Sequence, residues 1–206
     1  MLLSEAMRQV RLPVVTLLLT LITSCLMLLP YEVKAALYFD RNDVLAGNFW
    51  TLLSAHMVHI DIEHWGWNTI SLLFVGSIIE QRSVLLLAFS FFLSIFAIDL
   101  LLLSGIHNVD MYCGISGVLN TFILIALWTI WQKSHSFWVV AAVCLFIVRT
   151  ISEIILGNSL TTNLAWPAYT EAHMAGVISG GVIIFFYETV FNKFTKGLNG
   201  GCKYTG

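Results

Sequence analysis

VLLLAFSFFLSIFAIDLLLLS, residues 84–104, decides what kind of fold this chain can have. One acidic residue, Asp99, interrupts an apolar run long enough to cross the roughly 30 Å hydrocarbon core of a bilayer, which takes about 20 residues of helix. The pattern recurs on both sides of it. Apolar stretches at 12–30, 62–79, 114–131, 137–156 and 172–191 join it to predict six spans with short connections. The chain is 58% hydrophobic and 11% charged, with a mean hydropathy of +0.86, far from the balance of a water-soluble domain. The expected fold class is therefore an all-α membrane protein, a bundle of six transmembrane helices with residues 1–206 as one domain.

The placement of cations predicts orientation. Arg8, Arg11, Arg82, Lys133, Lys193, Lys196 and Lys203 fall on one side of the six-span topology, and Lys34 and Arg41 on the other, so the positive-inside rule makes both termini cytoplasmic. The loop at about 31–61 then lies outside, with Trp50, Trp65 and Trp67 as expected interfacial anchors. No basic patch suggests a nucleic-acid partner. Cys25, Cys113, Cys144 and Cys202 have no close pairs, which argues against a disulfide framework or a zinc knuckle. Arg8 and Arg11 followed by a run ending LITSC could mark a lipoprotein signal at Cys25, but the LMLLP that follows continues the span instead.

Ionisable groups within spans cost several kcal/mol, so each requires a role. Two sets stand out. Asp99 in the third span shares its depth with Arg149 and Glu153, spaced i,i+4 in the fifth, and the expected role is an ion-pair network joining helices. A small transporter using this trio is a rival reading. The other set is HMVHIDIEHWGWN, which carries His56, His59, His64 and Asn68 into the second span, with His173 at the start of the sixth. Three histidines could ligate zinc, but HExxH is absent and Glu63 has the wrong spacing for its base, so no metal and no cofactor is expected.

A hydrolytic reading unites the second set with Ser116. In the six-span topology Ser116, His173, His64 and Asn68 enter at similar depth from three inward-running spans, just below the outer surface. A serine hydroxyl needs a base, and neutral imidazole suits that task near neutral pH, which assigns Ser116 as nucleophile and His173 as base. Asn68, His64 and the backbone N–H of Ser116 could donate to an oxyanion. No carboxylate is evidently placed to orient the base, so a Ser-His dyad is expected. Gly114 and Gly117 flank the serine to permit close approach, and Gly176 and Gly180 form a GxxxG that would pack the sixth span on the fourth.

These motifs resemble those of rhomboid intramembrane serine proteases over roughly residues 49–188. HIDIEHWGWN (59–68) is similar to the family's H-x4-H-x3-N, GSIIE (76–80) to its G-x3-E, GISGV (114–118) to G-x-S-G, and AHMAGVISG (172–180) to A-H-x2-G-x3-G. The resemblance implies a six-helix rhomboid-like core, the same roles for Ser116, His173, His64 and Asn68, and structural positions for His59 and Glu80. Two departures are Trp50-Thr51, where many rhomboids have Trp-Arg, and Asn120, where many have an aromatic that stacks on the catalytic histidine; Asn120 is expected to support His173 by a hydrogen bond instead. With the small size, these departures look like the rhombosortase branch. That implies single-pass substrates ending in a Gly-Gly motif, a membrane helix and a basic tail, and a bacterial inner-membrane enzyme whose site opens to the periplasm. The alternatives are a catalytically silent, client-binding relative and a general rhomboid protease with other substrates.

Overall fold

The computed structural model describes residues 11–106, 109, 111–157 and 169–191. Arg8, Lys193, Lys196, Lys203 and Cys202 lie outside the described residues, as does most of the loop ahead of the last helix. Helix α1 is Val14–Met27. The following loop carries the short helices α2 (Tyr31–Ala35), α3 (Arg41–Leu45) and α4 (Thr51–Ser54) and a short strand, β1 (Phe39–Asp40). Helix α5 (Ile62–Ser71) continues through a π-helical turn at Leu72–Gly76 into α6 (Ser77–Arg82). Then come α7 (Val84–Ser104), β2 (Met111–Tyr112), α8 (Ser116–Ser134), α9 (Phe137–Leu156) and α10 (Thr170–Phe186), which runs into a π-helical turn at Tyr187–Phe191.

Local chemistry explains where the helices start and stop. Ser83 caps α7 by accepting from the Leu86 N–H, and Gly105 ends it at φ 68°, a left-handed conformation that glycine adopts without penalty. Ser136 and Gly157 bracket α9 in the same way. Among the described residues, Val84–Ser104, Phe137–Leu156 and Thr170–Thr189 are long and apolar enough to cross a membrane by length and composition. Helix α1 has 14 residues, and at 1.5 Å per residue spans about 21 Å. It gets its N-terminal partners from elsewhere in the chain. Pro13 supplies no capping side chain, and Glu80 of α6 accepts instead from Val15 N–H at 2.9 Å, Thr16 N–H at 2.8 Å and the Thr16 hydroxyl at 2.8 Å.

Helix α8 lies at the centre, against α7 and α10. Its Val118, Phe122 and Ile125 are fully buried with Leu87 and Ile98 of α7, while Leu85, Phe92 and Phe96 of α7 face outward. Apolar side chains on both faces fit a helix bordered by protein on one side and lipid on the other. The loop after α1 is held against this bundle. Strands β1 and β2 pair antiparallel with Phe39 opposite Tyr112, the Gly114 N–H donates to Ala55 O at 2.8 Å, and Arg41 donates to Leu103 O at 2.8 Å. Of the expected anchors, Trp50 and Trp67 are exposed, whereas the indole nitrogen of Trp65 is buried.

Candidate active site

Ser116 is the first residue of α8, and the backbone ahead of it is shaped for close approach. Gly114 has φ +112°, and a Cβ there would lie 2.5 Å from His64 Cε1, so both the conformation and the space require glycine. The adjoining Tyr112 hydroxyl donates to Gly114 O at 3.0 Å, and burial pushes its acidity further from neutrality, keeping it a donor. Burial likewise pushes the Cys113 thiol up to about 12, which leaves it protonated and a poor rival nucleophile beside the serine.

His173 reaches the serine because α10 packs almost in backbone contact with α8. A Cβ at Gly176 would fall 2.0 Å from Gly117 O, and one at Gly117 would lie 2.7 Å from Ile98 Cδ1. Glycine at 176 is what permits that approach, because a side chain there would meet the α8 backbone, whereas a Cβ at Gly117 would lie 3.1 Å from Ala172 O of α10. It brings His173 Nε2 to 3.0 Å from Ser116 Oγ, with the ring buried and the serine partly accessible. The other ring nitrogen, Nδ1, is 2.9 Å from Glu153 Oε2 on α9, and Glu153 Oε1 accepts from Arg149 at 2.8 Å.

Helix α5 brings the remaining groups. Asp61 caps it by accepting from the His64 N–H at 2.7 Å, and Asn68 follows one turn later on the same face. Both side chains are buried, and His64 Nδ1 and Asn68 Nδ2 have no hydrogen-bond partner among the described residues. Buried donors without acceptors are costly.

Three expectations need correction. The base is not without a carboxylate, because Glu153 contacts His173 directly; hence the arrangement is not a bare Ser-His pair. Asp99 does not join Arg149 and Glu153 either. It pairs across the interior with His56 Nε2 at 3.0 Å. Asn120, expected to support His173, instead donates to Ser116 O at 2.7 Å, one turn back on its own helix. In each case the residue has a partner that the sequence did not indicate.

His56, His59 and His64 do not converge. His56 is committed to Asp99, and His59 meets the His64 ring edge-on at 5.0 Å between centroids. Among the described residues no three His, Cys, Asp or Glu side chains form a metal-binding group. Burial, then the neighbouring His64 and Lys34, push His59 down to about 3, so it is a neutral packing group at physiological pH.

The rhomboid domain family matches residues 46–189. The chain belongs to the rhomboid family. Rhomboids are generally intramembrane serine proteases, and with its apolar helices this one is an integral membrane protein. No curated relative matches the chain. Helix α1 precedes the matched rhomboid region, and the Glu80 contacts join it to that region. Sequence reasoning did not find Glu153 as a neighbour of His173 or Asp99 as a neighbour of His56. The signal for Glu153 was its depth, shared with His173 and Ser116.

Proposed function

We propose that this rhomboid is an intramembrane serine endopeptidase that cleaves exported single-pass proteins beside their C-terminal membrane anchor. The 3.0 Å approach of His173 Nε2 to Ser116 Oγ carries the reading. His173 takes the hydroxyl proton as Ser116 Oγ bonds to the scissile carbonyl carbon, and the carbonyl oxygen becomes an oxyanion that Asn68, His64 and the Ser116 N–H stabilise as donors. The C–N bond then breaks, and His173 returns the proton to the leaving amine. Water, deprotonated by the same ring, releases the acyl group and restores Ser116.

The finer reading is a rhombosortase acting on substrates with a Gly-Gly motif, a membrane helix and a basic tail. It has a six-helix core in a bacterial inner membrane, both termini cytoplasmic and the site open to the periplasm. The departures from the common rhomboid pattern at Thr51 and Asn120 and the distribution of cations support it. The test is co-expression with a reporter carrying that C-terminal signal. Cleavage by the parent and none by Ser116→Ala or His173→Ala is the expected result. Equal cleavage by Ser116→Ala removes the protease reading. Cleavage of a general rhomboid substrate but not the Gly-Gly reporter removes the branch alone.

A further inference from the structure

Ser116 and His173 account for one nitrogen of the imidazole, and the other is also engaged. His173 Nδ1 points at Glu153 Oε2, 2.9 Å away, on the side of the ring opposite the serine. Glu153 is fully buried, and Arg149 donates to its other oxygen at 2.8 Å. We infer that Glu153, held by Arg149, is a positioning residue for the His173 base.

This inference rests on the protease reading and extends it to a third helix. An i,i+4 ion pair on α9 can satisfy itself without touching α10, so gluing one helix turn to the next explains Arg149 and Glu153 but not the aim of Oε2 at a ring nitrogen. A carboxylate accepts and cannot donate. Opposite Nδ1 it places the ring proton there and leaves Nε2 with its lone pair toward the Ser116 hydroxyl, the only neutral tautomer that can take the serine proton. When His173 takes that proton, the ring becomes a cation beside a buried anion. Glu153 stabilises it without itself gaining a proton, the part a buried carboxylate plays behind the histidine of soluble serine proteases.

Arg149 explains how the carboxylate remains ionised. A fully buried, unpaired carboxylate is strongly disfavoured, and a guanidinium whose side chain is 27% exposed offsets that cost while reaching toward the surface. Among the described residues, Ser116 of α8 and Glu153 of α9 contact the His173 ring, and His64 of α5 is near enough to act on it electrostatically. Glu171 is the nearest charged residue on its own helix. Among them the carboxylate that touches the ring is Glu153.

The test is the rate at which a fluorophosphonate labels Ser116 in detergent-solubilised full-length protein, measured against pH on the folded fraction, with Ser116→Ala as the blank. Glu153→Gln is nearly isosteric, but its amide can donate to Nδ1 and stabilise the wrong tautomer. Labelling is expected to fall by up to about 10⁴-fold, the scale set by the corresponding change in soluble serine proteases. The acidic limb of the rate profile should also move to lower pH, because the imidazolium has lost its adjacent anion. The double variant Arg149→Met with Glu153→Gln removes both charges, so no unpaired cation is left to destabilise the fold, and it should show the same loss and the same shift. Parent-like rate and limb in either folded variant would overturn the inference and reduce Glu153 to a structural counter-charge. A parent that is not labelled at Ser116 would instead overturn the protease reading, and this one with it.

Discussion

Asn68 and His59 show how two buried polar residues in one stretch of chain can differ in kind. Asn68 Nδ2 is a buried donor with no acceptor among the described residues, one turn below His64, and in the proposed protease it donates to the oxyanion formed beside Ser116. Asn68→Ala should therefore lower kcat of reporter cleavage by about 10²–10³-fold with little change in KM, the usual cost of losing one oxyanion donor. An unchanged kcat would remove Asn68 from the site. His59 gives a stability prediction. Its folded value of about 3 lies below the ordinary 6.5, so between those limits the unfolded chain binds a proton that the folded chain refuses. Stability should fall as pH drops below 6.5, with His59 contributing a slope of about 1.4 kcal/mol per pH unit until near pH 3. Thermal unfolding in detergent from pH 7 to 4 should be less steeply pH-dependent in His59→Phe than in the parent.

At the scale of elements, the approach of α10 to α8 sets the site. Gly176→Ala places a methyl group where Gly117 O already sits, so the two helices must separate or tilt. A loss of about 1–3 kcal/mol in stability is expected, the range for overpacking a tight interface. Labelling of Ser116 should fall as well, because the 3.0 Å contact spans the same interface. Gly181→Ala is the matched control. A Cβ there meets nothing within 4 Å, and a helical Gly→Ala change without strain should raise stability by roughly 0.5–1 kcal/mol and leave labelling alone. Equal behaviour of the two variants would show that helix propensity outweighs contact at Gly176. The GxxxG spacing was legible in the sequence because small residues four apart share a helix face. Its partner surface at Gly117 was legible only as a depth match.

At the scale of the whole molecule, the loop after α1 is part of the framework that holds the bundle. The β1–β2 pairing, the Gly114–Ala55 bond and the His56–Asp99 pair fasten it to the entry of α8 and to α7. Asp99→Ala leaves a buried imidazole without its partner, and His56→Ala leaves a buried carboxyl group without one. Each should cost about 1.5–3 kcal/mol, the range for hydrogen bonds to charged groups. The double variant should cost less than the sum, and unfolding of the four proteins in a double-mutant cycle measures the difference. Strict additivity would mean that the 3.0 Å contact carries no coupling.

Residues 84–104 and 137–156 were legible as helices because an unbroken apolar run is a local property of the chain, and the serines and glycines at their ends bound them in the structure. The same reasoning brought Ser116, His173, His64 and Asn68 to one level, since each residue of helix advances a fixed 1.5 Å along the axis and apolar length sets the frame. Rotation about that axis is another matter. Helix α7 is apolar all round, so its sequence does not say which way Asp99 points, and α9 does not announce that Glu153 faces α10 rather than α7. Depth came from the sequence alone, through hydropathy and rise per residue. The partners of Asp99, Glu153 and Asn120 were decided by helix packing, because groups at one depth choose among neighbours by the rotation and close approach that only the assembled bundle sets.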